Sequence, residues 1–268
     1  VSEASLAALK RWVPPVAWSA LKSHVGTRFS GDYPSWAAAS ADSRGYDAPA
    51  IAARVAEATR KLVRGEAAFE RDSILFDEPD YPWPLLTCLL YVAARREGTL
   101  GVVDFGGSLG STYRQCAKFL SGVKRLSWTV VEQPTFVALG RREFTTPELS
   151  FHDDLATALF DVRPDVLLLS SVLQYVEEPH AVLATAVESD VPFILLDRTP
   201  FIDAPKDRLT VQTVSKRVYP ASYPAWFFSR ERLLTTLARK YRKLEEFAAI
   251  DQANVSSRYL GMLFERNA

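Results

Sequence analysis

The residues best placed to do chemistry lie in Val102-Val103-Asp104-Phe105-Gly106-Gly107-Ser108-Leu109-Gly110-Ser111-Thr112-Tyr113. An apolar strand runs into a glycine cluster. A helix is expected from about Ser111, with Tyr113, Cys116, Ala117 and Leu120 on one face and Gly122 past its end. Glycines there let the backbone turn sharply and approach a ligand closely. The first helical turn offers N–H groups and positive potential to a carboxylate or phosphate. The plain alternative is a structural strand-to-helix turn with no ligand. Glu132 ends the next apolar strand, 22 residues beyond Gly110, where a carboxylate can take the hydroxyls of a ribose.

The loop order is D-x-G-G-x-x-G rather than G-x-G-x-x-G. Asp104 sits awkwardly beside a pyrophosphate, because like charges repel, and suits an ammonium instead. NAD therefore accounts for Glu132 alone. S-adenosylmethionine accounts for both acids, with its ribose on Glu132 beside Gln133 and its methionine part over Gly106, Gly107 and Gly110.

Further candidates follow along the chain. Asp153, in Phe151-His152-Asp153-Asp154, either accepts from an adenine amino group or caps the helix that begins near Leu155. His152 reads as a surface or packing histidine. Ser170–Tyr175 follows the apolar run Val166–Leu169, at the edge where ligands of open α/β sheets bind. Ser171, Gln174 and Tyr175 either frame the reacting centre or simply begin a loop before Glu177-Glu178-Pro179. Asp197-Arg198 follows the apolar run Phe193–Leu196, as a structural pair or as an acceptor contact. Asp197 and Tyr175 are the candidate bases by position.

The elements that must position these residues change character along the chain. Short apolar runs at Leu100–Phe105, Leu126–Val131, Val166–Leu169 and Phe193–Leu196 are separated by crossover-length stretches, which predicts a parallel sheet covered on both faces. Leu244–Ile250 and Tyr259–Phe264, joined by the polar stretch Asp251–Arg258, read as an antiparallel pair. The expectation is a seven-stranded, mostly parallel sheet closed by that hairpin. Residues 1–98 read as a helical cap or lid and residues 99–268 as the cofactor-binding domain. Within the cap, two tryptophans flank the diproline Pro14-Pro15. Asp47 looks like an N-cap for a helix through Val55 and Leu62 to Gly65, and Pro82-Trp83-Pro84 opens another that ends near Gly98.

The chain has 268 residues with 32 basic and 32 acidic side chains, so it lacks the net positive charge typical of a nucleic-acid binder. Cys88 and Cys116 cannot form a disulfide framework, and His24, His152 and His180 show no zinc spacing; no metal is expected. A reducing cytoplasm is the expected compartment. No apolar run reaches the roughly 18 residues of a membrane span. The chain opens on Val1 rather than Met, which leaves room for a removed leader.

Five segments in order carry a resemblance: Val102–Tyr113, Trp128–Gln133, Ser170–Tyr175, Asp197–Phe201 and Tyr219–Trp226, with Glu70-Arg71-Asp72-Ser73 ahead of them. Together the chain, from Trp12 to about Phe264, resembles the S-adenosylmethionine-dependent methyltransferases encoded among bacterial surface-polysaccharide genes, which have the Rossmann-like class I methyltransferase fold. One departure is Ser108, which stands where the broader methyltransferase loop has a glycine. The resemblance implies O-methylation of a sugar or sugar-containing intermediate. It also implies a site role for Arg71, as a bidentate partner of an anionic group. Tyr223 and Trp226 are expected to stack on the acceptor, with packing in the core as the alternative. Tyr175, Arg198, Arg71, Tyr223 and Trp226 should then surround one cleft. Two other functions stay open: a catalytically silent binding module on the same fold, and an NAD-dependent oxidoreductase.

Overall fold

The computed structural model describes residues 27–43, 48–71, 74–214 and 221–267. Trp12, Trp18 and the diproline between them, Asp47, Asp72, Ser73, Tyr219 and Pro220 lie outside the described residues, as does the side chain of Arg71. In order come β1 (Thr27–Ser30), α1 (Trp36–Ala41), α2 (Ala48–Val63), β2 (Phe69–Arg71), β3 (Ile74–Phe76) and α3 (Trp83–Arg95). The alternating part follows as β4 (Thr99–Phe105), α4 (Ser111–Leu120), β5 (Arg125–Val131), α5 (Pro134–Glu143), β6 (Leu149–His152), α6 (Leu155–Val162), β7 (Val166–Ser170), α7 (Pro179–Glu188) and β8 (Phe193–Ile202). The chain ends with β9 (Arg208–Val214), β10 (Ser222–Ser229), α8 (Arg230–Ala238), β11 (Tyr241–Ala248) and β12 (Arg258–Arg266).

The apolar runs behave as expected of strands covered on both faces. Val166, Leu167, Leu168 and Leu169 of β7 are fully buried. Side chains alternate across a strand, so Val166 and Leu168 pack with Leu85 and Leu89 of α3 and Cys116 and Leu120 of α4. Leu167 and Leu169 face the other way, against Leu155 and Leu159 of α6, Leu183 and Val187 of α7, and Leu233 and Leu237 of α8. β6, β5, β4, β7 and β8 run parallel in that spatial order. β12 then adds antiparallel to β8, and β11 antiparallel to β12. The C-terminal hairpin closes the sheet as predicted.

Two features depart from expectation. Among the described residues the sheet has ten strands rather than seven. Between β8 and α8 the chain makes an antiparallel pair, β9 and β10, and β10 continues parallel to the far end of β8 through Phe228 opposite Phe201. β1 joins the outer edge of β9, Phe29 lying opposite Gln212. The second departure follows. Among the described residues before Gly98 helices dominate, yet β1 extends the sheet and α3 packs in the main core, so these residues do not form a separate core.

An edge strand leaves a row of unpaired backbone groups, which proteins protect. Here the side chain of Asn254, in the loop between β11 and β12, does so. Its Oδ1 accepts from the Phe29 N–H at 2.7 Å, and its Nδ2 donates to the Phe29 carbonyl at 2.8 Å. Phe29 also packs edge-on against Phe227 of β10, with ring centroids 5.0 Å apart. Replacing Asn254 with alanine removes both bonds. Asn254→Ala is expected to lower unfolding stability by about 1–3 kcal/mol and to speed amide exchange at Phe29, as read by denaturant melts and hydrogen-exchange mass spectrometry.

Candidate active site

The carboxyl ends of β4, β5, β6 and β7 and the turn into the second half of β8 open on one cleft of about 1210 Å³. Its opposite walls come from β1, the β2–β3 hairpin, β9, β10 and the loop between β11 and β12. This is the edge at which open α/β sheets bind ligands.

The glycine loop forms the floor, and its glycines are required there. Gly106 has φ +76°, and a Cβ on it would fall 2.3 Å from Val172 Cγ2. A Cβ on Gly107 would fall 2.4 Å from Asp104 Oδ2. Ser108, in place of the usual glycine, still adopts the left-handed conformation at φ +56°. So do Ser171 at +52°, just after β7, and Arg198 at +51°, within β8. The other described non-glycine residues with positive φ, Glu97, Arg163 and Asp190, follow helix ends. Three strained residues lining one cleft mark a functional edge. Gln174 braces two of them: its Nε2 donates to Ser171 Oγ at 3.1 Å and to the Arg198 carbonyl at 3.3 Å.

The predicted acids separate by environment. Asp104 is 1% exposed and accepts from Trp128 Nε1 at 3.0 Å. Burial pushes its carboxyl up to about 7, against the lowering effect of the Trp128 hydrogen bond. Glu132 accepts from the Gln133 N–H at 2.8 Å. Burial raises its pKa too, while the backbone N–H groups of Gln133 and Ser108 oppose the rise. Asp154, not Asp153, caps α6, accepting from the Thr157 N–H at 2.8 Å; this leaves Asp153 on the cleft wall. Asp197 is buried, accepts from Ser170 Oγ at 2.7 Å and does not line the cleft. Its pKa rises chiefly through burial. Arg198 does line the cleft, where it holds Asp251 bidentately at 2.8 and 2.8 Å.

Asp104, Gly106, Gly107, Glu132, Gln133, Asp153, Ser171, Tyr175, Arg198 and Tyr223 thus meet in one cleft. Gly110, Gln174, Asp197 and Trp226 stand outside its lining. Trp226 is the clearest correction. Side chains alternate along a strand, so residues three apart on β10 face opposite sides. Tyr223 faces the cleft, whereas Trp226 stacks on Trp36 with centroids 6.4 Å apart and donates to the Val176 carbonyl at 3.1 Å. Arg71 ends β2 beside the cleft-lining Glu70, by backbone position alone.

Several lining residues were not anticipated. Gln212 on β9 accepts from Tyr175 Oη at 2.9 Å and donates to Tyr223 Oη at 3.2 Å, tying the two phenols together. Tyr259 and Asp251 come from the C-terminal hairpin. No local motif marks these three; only the topology brings them here. Glu70, from the segment Glu70-Arg71-Asp72-Ser73 that carries the resemblance, joins them from the β2–β3 hairpin. Among the described residues, the ionisable chains of opposite sign on this wall are Glu70, Asp104, Glu132, Asp153, Asp154, Glu178 and Asp251 against Arg198. A surface so biased favours a cationic ligand over a pyrophosphate.

No protein family matches the chain, and no curated protein does. Solved structures do. An S-adenosylmethionine-dependent methyltransferase from Clostridium acetobutylicum matches with TM-score 0.48 and 10% identity, over 81% of this chain and 99% of that one. CalS10, an amino pentose methyltransferase from Micromonospora echinaspora, matches with TM-score 0.47 and 13% identity over 78% and 96%. The N-terminal domain of EvdMO1, crystallised with SAH and D-fucose, matches with TM-score 0.46 and 14% identity over 80% and 97%. From β6 to β11 the sheet is the Rossmann-like arrangement expected from the sequence: parallel strands, with β12 alone running antiparallel to its neighbours.

The raised pKa of Asp104 has a definite sign. Between about pH 4 and 7 the unfolded chain ionises this carboxyl while the folded chain keeps it protonated, so its contribution to stability falls as pH rises. The stability difference between native protein and Asp104→Asn should therefore shift across that window, against the native chain, by at most about 1.4 kcal/mol per pH unit. Denaturant melts from pH 4 to 8 measure it; a flat difference would contradict the burial argument.

Proposed function

We propose that the protein is an S-adenosylmethionine-dependent methyltransferase that O-methylates a sugar or a sugar-containing acceptor. The observation that carries this reading is the joint position of the glycine loop and Glu132. The loop shows its backbone to the cleft because Gly106 and Gly107 have no room for side chains, and Glu132 stands on the same wall at the end of the neighbouring strand. That cradle fits a nucleoside with an attached amino acid. The acidic lining supports a sulfonium and ammonium ligand and speaks against the pyrophosphate of NAD.

In this reading Glu132 holds the ribose hydroxyls, Asp153 faces the adenine amino group, and the loop above Asp104 holds the methionine part. When bound, S-adenosylmethionine supplies an already activated methyl group, so the protein's task is chiefly positioning and exclusion of water. Tyr175, Tyr223, Arg198 and Gln212 line the acceptor end, and their phenols, guanidinium and amide suit a hydroxyl-rich ring. Tyr175 is the better placed of the two candidate bases, because Asp197 lies beneath the cleft bonded to Ser170. The sugar class of acceptor, and a place in polysaccharide assembly, rest on the sequence resemblance.

Charge-assisted hydrogen bonds are worth roughly 1.5–3 kcal/mol. Glu132→Ala is therefore expected to weaken S-adenosylmethionine binding by about ten- to a hundredfold, with NAD binding to the native chain undetectable at comparable concentrations. Titration calorimetry decides it: equal affinity in native and variant protein, or tighter binding of NAD, would sink the assignment.

A further inference from the structure

The β2–β3 hairpin brings a carboxylate, Glu70 of the segment Glu70-Arg71-Asp72-Ser73, to the cofactor cleft. Glu70 is 3% exposed, yet it lines the cleft. It accepts a 2.7 Å hydrogen bond from Ser111 Oγ, and Ser111 is the first residue of α4, directly after the glycine loop. The loop therefore runs from one buried acid to another, with Asp104 packed against Gly107 at its start and Glu70 against Ser111 at its end.

Burying a carboxylate is costly unless charge or hydrogen bonds compensate it. Near a helix N-terminus that cost is reduced, so position alone gives Glu70 a structural explanation. Its placement on the cleft wall goes further. Asp104 is a weak counter-ion in the absence of ligand, because burial holds its carboxyl near neutrality's midpoint, at about 7, and Trp128 Nε1 already occupies one oxygen. A primary ammonium has three donors to satisfy, more than one pinned carboxylate readily takes. Glu70 reaches the same cleft from the opposite, hairpin side.

We infer that Glu70 is a second carboxylate for the ammonium of the cofactor's methionine part, with Ser111 holding it in place. The inference rests on the function proposed above and deepens it: the hairpin between α2 and α3 becomes part of the cofactor site. It also assigns the hairpin a selectivity, for nucleosides that carry the amino-acid arm over nucleosides that lack it.

Two probes separate this from a structural role. S-adenosylhomocysteine carries the ammonium; 5′-methylthioadenosine keeps the adenosine and sulfur but lacks the amino acid. Glu70→Gln should weaken S-adenosylhomocysteine by about ten- to a hundredfold and leave 5′-methylthioadenosine unchanged in calorimetry, and Glu70→Asp should recover part of the loss. Binding of 5′-methylthioadenosine to the variant also shows that the cleft is folded. Equal losses for both probes, or no loss for either, overturn the inference while leaving the proposed function standing. A native chain that binds neither probe overturns both.

Discussion

Asp104 is held from two sides, and the rest of the cleft takes its geometry from that contact. Trp128, fully buried on β5, donates to its carboxylate. Gly107 lies so close above it that no other residue fits there. The chain must consequently turn as it leaves β4, and Gly106 turns it through a positive φ against Val172. From there Ser108 presents its N–H to Glu132, whose own strand end is aligned with β4 residue by residue. One buried acid thus fixes the loop, and the loop helps fix the second acid. The price is an ionisable group held where solvent cannot reach it, and this is why its pKa rises.

The sheet divides the work between two kinds of strand. Parallel strands β4, β5, β6 and β7 end in the loops that build the half of the cleft proposed for the nucleoside, and helices pack on both faces of these strands. The antiparallel extension, β10, β9 and β1, builds the other half and carries the Tyr223–Gln212–Tyr175 bonds. It is pinned to the hairpin loop by Asn254 on Phe29, while Arg198 on Asp251 pins the same loop to β8. Gln174, buried and away from the cleft, ties the corners at Ser171 and Arg198 to each other. A role at the reacting centre gives way to one in holding the two halves in register.

Much of the half proposed for the nucleoside was legible in the sequence because its signals are local. The apolar runs, the glycine order and the acid after the next strand all lie within one or two elements of each other. The half proposed for the acceptor was not, for a physical reason: its residues come from β1, β2, β9, β10 and the C-terminal loop, and only long-range pairing assembles them. Leu209, Val211 and the β-branched residues between and after them carry a strand pattern. Without their partner strands, that pattern says nothing about which face meets the cleft. Tyr223 and Trp226 show the consequence. As members of an irregular aromatic segment they could share a role, but once β10 forms, the two-residue period sends them to opposite faces. Glu70 stands in the sequence only as part of the segment Glu70-Arg71-Asp72-Ser73, and the hairpin fold buries it.

The proposed cofactor would lie along the carboxyl edge of β4 and β5, nucleoside and amino-acid arm together. A crystal of the protein soaked with S-adenosylhomocysteine would show this. The ribose hydroxyls are expected on the Glu132 carboxylate, the adenine beside Asp153 and the amino-acid arm over Gly106 and Gly107, within reach of Asp104. Ribose density away from Glu132, or an arm pointing out of the cleft with the glycine loop untouched, would contradict it.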